Sequence, residues 1–214
     1  MINKLTSIIN QKYPLTEINC GEYATLKANG MTFKVEAYFA EGLGQVSVMR
    51  AQGFFGLMKM DTLIINPTEI DLPLYSYDRI FAMGNDTLIV ELYNTLLGEY
   101  SEDGMNKAKS EFASLTERDP GEHWYDSIKL GSSISKKGKK KDEKSLDDLT
   151  LLHFDAYLAS SSAPVTDLEQ KQKKASVYVD GLLEKGGPST DVFKKSLGAS
   201  ATEELFKKIL FGTK

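Results

Sequence analysis

Few residues in this chain have types and spacings that could do chemistry unaided. Cys20 is the only cysteine, which excludes an internal disulfide and a cysteine metal cluster and fits a reducing compartment. The histidines His123 and His153 stand 30 residues apart, without a metal-ligand spacing. Neither lies beside a serine or cysteine pattern that would mark a nucleophile. A glycine-rich phosphate loop, a G-x-G-x-x-G fingerprint and a G-x-S-x-G elbow are all missing from the sequence. Three arginines, Arg50, Arg79 and Arg118, offer few places where a guanidinium fork could grip a phosphate or carboxylate. Composition, periodicity and spacing therefore specify no reaction.

The elements that must position any site are easier to read. The chain has 214 residues and is predicted to form one domain, 1–214, strand-rich over 20–95 and helix-rich over 102–212. A chain of this length buries roughly 70% of its unfolded surface and needs no metal or disulfide to hold it. Its formal net charge of −4 argues against a general nucleic-acid binder. No run of about 18 apolar residues predicts a membrane span. Residues 1–13 carry Ile2, Leu5, Ile8 and Ile9 in the pattern of a short amphipathic helix and not of a signal peptide, so a cytoplasmic location is expected.

Residues 22–93 alternate apolar and polar positions between turn signals at Asn29-Gly30, Glu41-Gly42, Gly53, Asn66-Pro67 and Gly84-Asn85. Asn29-Gly30 is the strongest hairpin signal, because both residues tolerate positive φ. Successive hairpins imply an antiparallel sheet. Helices are predicted over 103–117, from a Ser145 cap through Leu158, from a Thr166 cap to Gly186-Gly187-Pro188, through Val192 to Leu197, and after Ser200 with Glu203 in capping-box spacing. The stretch 132–144 holds six lysines and few apolar residues. It is expected to be an exposed, mobile loop.

One segment goes further. Residues 66–95 read NPTEIDLPLYSYDRIFAMGNDTLIVELYNT. Leu72-Pro73-Leu74-Tyr75-Ser76-Tyr77-Asp78, a glycine at 84 and an apolar run from Leu88 to Glu91 resemble the most characteristic stretch of the ferredoxin-dependent bilin reductases. Val192–Gly198, Ala201–Lys208, Leu210-Phe211 and Trp124 after Pro120 look similar to further family positions. The resemblance runs in order over most of the chain. It implies an α+β fold, a three-layer α/β/α sandwich with a central antiparallel sheet flanked by helices. It also implies a linear tetrapyrrole held between the sheet and the C-terminal helices. No cofactor would be bound, and external reduced ferredoxin would supply electrons.

Carried over residue by residue, the family's central aspartate matches Asp78. A carboxyl there could donate protons if burial or an anionic neighbour lifts its pKa from about 3.9 towards the working pH. Where phycocyanobilin-forming members have a histidine, counting back reaches Asp61, a possible second acid. Where they have a glutamate, this chain has Met49 or Arg50, and Arg50 could meet a propionate. Tyr75 within the motif and Tyr178 at an aromatic position are expected against the ligand. Gly187 stands where many members have another aspartate. Asp191 lies one turn later, where it could also serve a helix N-terminus. His153 sits on an apolar face, the usual place of a packing histidine. The lysines of 136–144 could steer an acidic ferredoxin, or simply be solvated. The red chlorophyll catabolite reductases, a related group, work with fewer acids. The resemblance thus leaves three readings open: a reductase, a tetrapyrrole or flat-ligand carrier, and a retained fold with a changed ligand.

Overall fold

The computed structural model describes residues 1–160, 162–187 and 189–213; Pro188 lies outside the described residues, while Gly186 ends the preceding helix as expected. Eight strands form one antiparallel sheet: β1 (Leu15–Ile18), β2 (Thr25–Ala28), β3 (Met31–Ala40), β4 (Gly44–Gly53), β5 (Met58–Pro67), β6 (Leu74–Ala82), β7 (Asn85–Tyr93) and β8 (Ile134–Gly138). Their order is β1-β3-β4-β5-β6-β7-β8, with β2 also paired to β3. Neighbours in sequence are neighbours in space from β3 to β8, as a meander of hairpins requires. Asn29 and Gly30 take positive φ in the β2–β3 turn, as expected, and Met83-Gly84 do the same between β6 and β7.

Among the described residues the α-helices are α1 (Ile2–Lys12), α2 (Asp103–Glu111), α3 (Glu143–Ala159), α4 (Leu168–Lys185), α5 (Thr190–Leu197) and α6 (Ala199–Glu204), the last continuing as a π-helical turn, Leu205–Leu210. On one face of the sheet α1, α2 and α3 pack Leu5, Ile9, Met105, Leu149, Phe154 and Tyr157 against Val46, Val48, Leu63, Ile65, Tyr75 and Tyr77. On the other, α4, α5 and the last helix pack Val179, Phe193, Leu205, Phe206 and Ile209 against Phe33, Val35, Met49, Ala51 and Ile64. This is the three-layer sandwich expected. Because side chains alternate along a strand, the central strands β3 to β7 feed both cores, and each fully buried large side chain contributes about 1.5–3 kcal/mol.

Two sequence expectations need correction. The lysine run is not a loop throughout. Ile134–Gly138 is β8, held to β7 from Asp86↔Gly138 to Val90↔Ile134. Lys136 is buried there, donating to Glu117 Oε1 (2.5 Å) and the Leu115 carbonyl (3.2 Å). A five-residue strand outweighs its lysines because Ile134 and the lysine stem face the core. Helix ends also moved. Asp167, not Thr166, caps α4 by accepting from the Gln170 N–H (2.9 Å), α2 stops at Glu111 instead of running to 117, and the expected caps Ser145 and Ser200 lie inside α3 and α6, which start after Asp142 and Gly198.

Candidate functional site

The strand register places the site. On the face covered by α4–α6, one row crosses the sheet: Val35, Met49, Thr62, Asp78, Ile89 and Ser135, each opposite the next. The adjacent row points to the other face and reads Lys34, Arg50, Asp61, Arg79, Leu88 and Lys136. Even-numbered residues of β5 and β6 therefore share a face with Asp78, and odd-numbered ones do not.

The α4–α6 layer seals only part of this face. Met58, Met60, Ser76, Asp78, Ile80, Thr87, Ile89 and Glu91 remain half-buried, side by side on β5, β6 and β7. Asp78 lies within this group. The Thr62 hydroxyl, itself buried, donates to its Oδ1 at 2.5 Å. Desolvation pushes the Asp78 carboxyl up from 3.8 to about 6, the Thr62 hydrogen bond opposes this by favouring the anion, and the Glu91 charge adds to the rise. Glu91 is diagonal to Asp78 across the β6–β7 pair, since Ser76 faces Glu91 and Ile89 faces Asp78.

Glu91 leads into an aromatic wall. The Tyr93 hydroxyl donates to its Oε2 at 2.6 Å, and Lys129 Nζ lies 3.7 Å from Oε1. The Tyr93 and Tyr178 rings stack with centroids 3.9 Å apart. Tyr125 meets both edge-on at 5.6 and 5.8 Å, and His123 stacks on Tyr125 at 4.8 Å. Trp124 packs on Tyr125 and donates Nε1–H to the Gly186 carbonyl at 3.1 Å. Burial raises the pKa of Tyr93, Tyr125 and Tyr178, so these phenols stay neutral hydrogen donors at neutral pH. Arg118 reaches Ser135 Oγ at 3.4 Å, putting a guanidinium at the β8 side of the same face. The Leu72-Pro73 turn before β6 is pinned by Lys171 of α4, which donates to the Leu72 carbonyl (2.6 Å) and to Asp71 (2.9 Å).

The residues singled out from sequence divide by parity. Asp78, Met49 and Tyr178 lie on one face: Met49 buried opposite Thr62, Tyr178 within the aromatic wall. Asp61 and Arg50 are on the opposite face and do not join them. Arg50 is engaged by Glu36 (2.6 Å) and Asn3 (2.7 Å) beneath α1, lining a depression of about 490 Å³ with Thr6, Asn10 and Tyr38. Tyr75 is likewise on the α1–α3 face, fully buried against Phe154 and Tyr157 (5.5 and 4.7 Å) as a core ring. Asp191 is exposed in the first turn of α5. His153 is a packing histidine with Nε2 3.0 Å from the Ser132 carbonyl. The residues that spacing missed are Thr62, Tyr93, Tyr125, Lys129 and Arg118. The signal for Thr62 was available only through the β5–β6 register, which the connection between those two strands sets.

An antiparallel meander sandwiched between helices, with an acid, an aromatic wall and a cationic rim on one incompletely covered sheet face, defines the structural class. The same fold is seen in the crystal structure of phytochromobilin synthase from tomato, solved in complex with biliverdin. The two superpose with a TM-score of 0.76 over 99% of this chain and 82% of that one, at 16% sequence identity. The three-layer fold expected from the 66–95 segment is thus shared with that tomato protein. No family profile and no curated protein matches the sequence. No described helix is long and apolar enough to cross a membrane.

Proposed function

We propose that this chain binds a linear tetrapyrrole on the half-covered sheet face and reduces it, with Asp78 as proton donor and reduced ferredoxin as the external source of electrons. The observation that carries the reading is the Asp78 carboxyl. It is held by Thr62 on a half-buried apolar surface, with a pKa lifted to about 6, where a carboxylic acid can give up a proton near neutral pH. Its neighbours suit the ligand. Tyr93, Tyr125 and Tyr178 are buried beside this face with Trp124 half-buried at their edge, a rigid aromatic backing for a flat conjugated ligand. Arg118 is a cation at its rim, and a tetrapyrrole's propionate carboxylates need such a partner, whereas Lys129 is already paired with Asp126 (2.6 Å) and Glu91 (3.7 Å). Saturating one double bond takes two electrons and two protons. Ferredoxin supplies the electrons, Asp78 supplies one proton, and the second comes from solvent water at the half-open face. The likeness to a biliverdin-bound fold supports the same ligand class.

The test mixes the purified protein with biliverdin and records the visible spectrum before and after adding reduced ferredoxin. A shifted band that then changes colour only with the electron donor is expected. Asp78→Asn should keep the shifted band and lower turnover by at least about a hundredfold, the range of a lost general acid. A shifted band that never turns over makes the protein a carrier. No spectral change removes both readings.

A further inference from the structure

The end of the sheet near Asp78 carries a second feature that the proposed reaction does not use. The β4–β5 turn reads Gly53-Phe54-Phe55-Gly56-Leu57, and the β6–β7 turn reads Met83-Gly84. Met58 pairs with Ala82, so the two turns stand side by side. Phe54 is 52% exposed, Leu57 68% and Met83 89%, while Phe55 is fully in solvent. Phe54, Phe55 and Met83 also hold positive φ values of 51°, 55° and 51°, a conformation that side chains beyond glycine and asparagine rarely adopt. Large apolar side chains in solvent on a left-handed backbone gain nothing for folding.

The surroundings of this tip are basic. Gly138, the last residue of β8, pairs with Asp86 near the β6–β7 turn, so Lys139, Lys140 and Lys141 leave the sheet beside that turn, following Lys137 within the strand. The Lys139 ammonium donates to Asn85 Oδ1 at 2.5 Å, fixing the run against that turn. Lys59 flanks the other turn. The acids nearby are mostly engaged. Asp86 is buried on Arg79, Asp142 accepts from the Lys139 N–H, and Glu143 is exposed.

We infer that the paired tips of the β4–β5 and β6–β7 hairpins, with their lysine flank, dock this protein on an anionic phospholipid surface. A convex, doubled apolar tip does not fit a groove of its own kind. It does fit a soft interface into which Phe54, Phe55, Leu57 and Met83 can sink, while the lysines meet lipid headgroups. The inference stands apart from the reductase reading, since it uses none of the site residues.

Co-sedimentation of the whole chain with phosphatidylcholine/phosphatidylserine vesicles tests it, against phosphatidylcholine alone. Binding is expected to the mixed vesicles, weakened by salt, and reduced about tenfold or more in Phe54→Ser/Phe55→Ser. Lys139→Glu/Lys140→Glu should abolish the preference for the anionic lipid. In Phe55→Trp the emission of the new indole should move to the blue when vesicles are added. The inference is overturned if the chain ignores anionic vesicles. It also fails if binding needs only the lysines and the indole emission stays unshifted, which is the behaviour of a site for an acidic protein. Concentration-dependent self-association that the Phe→Ser pair removes would assign the tip to a second copy, and biliverdin alone quenching the new indole would assign it to the ligand site.

Discussion

Asp78 should cost the fold stability at neutral pH, and removing its charge should return it. In the folded chain its carboxyl keeps a proton up to about pH 6, whereas unfolded it ionises near 3.8. Between these values the folded state binds more protons than the unfolded state, so stability falls as pH rises through the window and stays lower above it. The gap amounts to about 3 kcal/mol at 1.36 kcal/mol per tenfold. Asp78 is partly open to water, which screens the penalty, so about half, ~1.5 kcal/mol, is the expected effect. Asn has the same shape and can still accept from Thr62, but it cannot ionise. Asp78→Asn should therefore raise the unfolding free energy by ~1.5 kcal/mol near pH 8 and by little near pH 4. Urea unfolding followed by circular dichroism at both pH values measures this. A loss of stability near pH 8, or a gain equal at both pH values, would refute the claim that this carboxyl is held ionised against its surroundings.

Other consequences follow from the same structure. Desolvation holds His153 down at about 4, with the Ser132 carbonyl partly opposing and Lys109 adding to the fall. The folded pKa is depressed, so its contribution is lost as pH drops from about 6.5 to about 4, and His153→Gln should flatten that slope in the same urea series. Gly181 has no side chain because the Trp124 ring occupies the space, and a Cβ there would overlap the indole. Gly181→Ala should lose about 1–3 kcal/mol in urea unfolding and alter Trp124 fluorescence, whereas Gly84→Ala, with open space around it, should leave the fluorescence unchanged.

The fold was legible because each strand is a short alternating run closed by a turn with a mechanism. Asn29-Gly30 marks a turn by its own chemistry, and the apolar stripes of α3 and α4 each require a sheet face to cover. The site was legible only at Asp78, through the Leu72–Asp78 motif. Asp61 and Asp78 are both strand carboxylates, and nothing in their spacing tells that one faces α1 and the other α4. That depends on the β5–β6 register, fixed by a connection whose path runs through the Asp71–Lys171 pair and the Ile70↔Pro164 bridge, contacts made about a hundred residues apart in sequence. Tyr93 and Tyr125 were similarly hidden, since each reads as a core aromatic until Glu91 and Tyr178 come beside them. Lys136 misled for the opposite reason, as a charge run hid a strand whose alternate residues point inward.

The uncovered stretch of sheet separates the two leading functions. Helices α4–α6 bury Phe33, Val35 and Ala37 on β3 and pack against Met60, yet leave Ile80 and Ile89 half-buried, with apolar surface still in water at about 25 cal/mol per Å². At the same place the chain holds a carboxyl whose ionisation is disfavoured, next to a second carboxyl that makes it more so. A flat ligand lying on the face would offset the first cost in either reading. Only a ligand that takes a proton gives the second a purpose, because a carrier would be better served by a serine or leucine at position 78. The pairing of both costs on one patch therefore favours chemistry over carriage, and the substitution that tells them apart is Asp78→Leu: a carrier should bind biliverdin at least as well with it, and a reductase should be left with a bound pigment that reduced ferredoxin no longer changes.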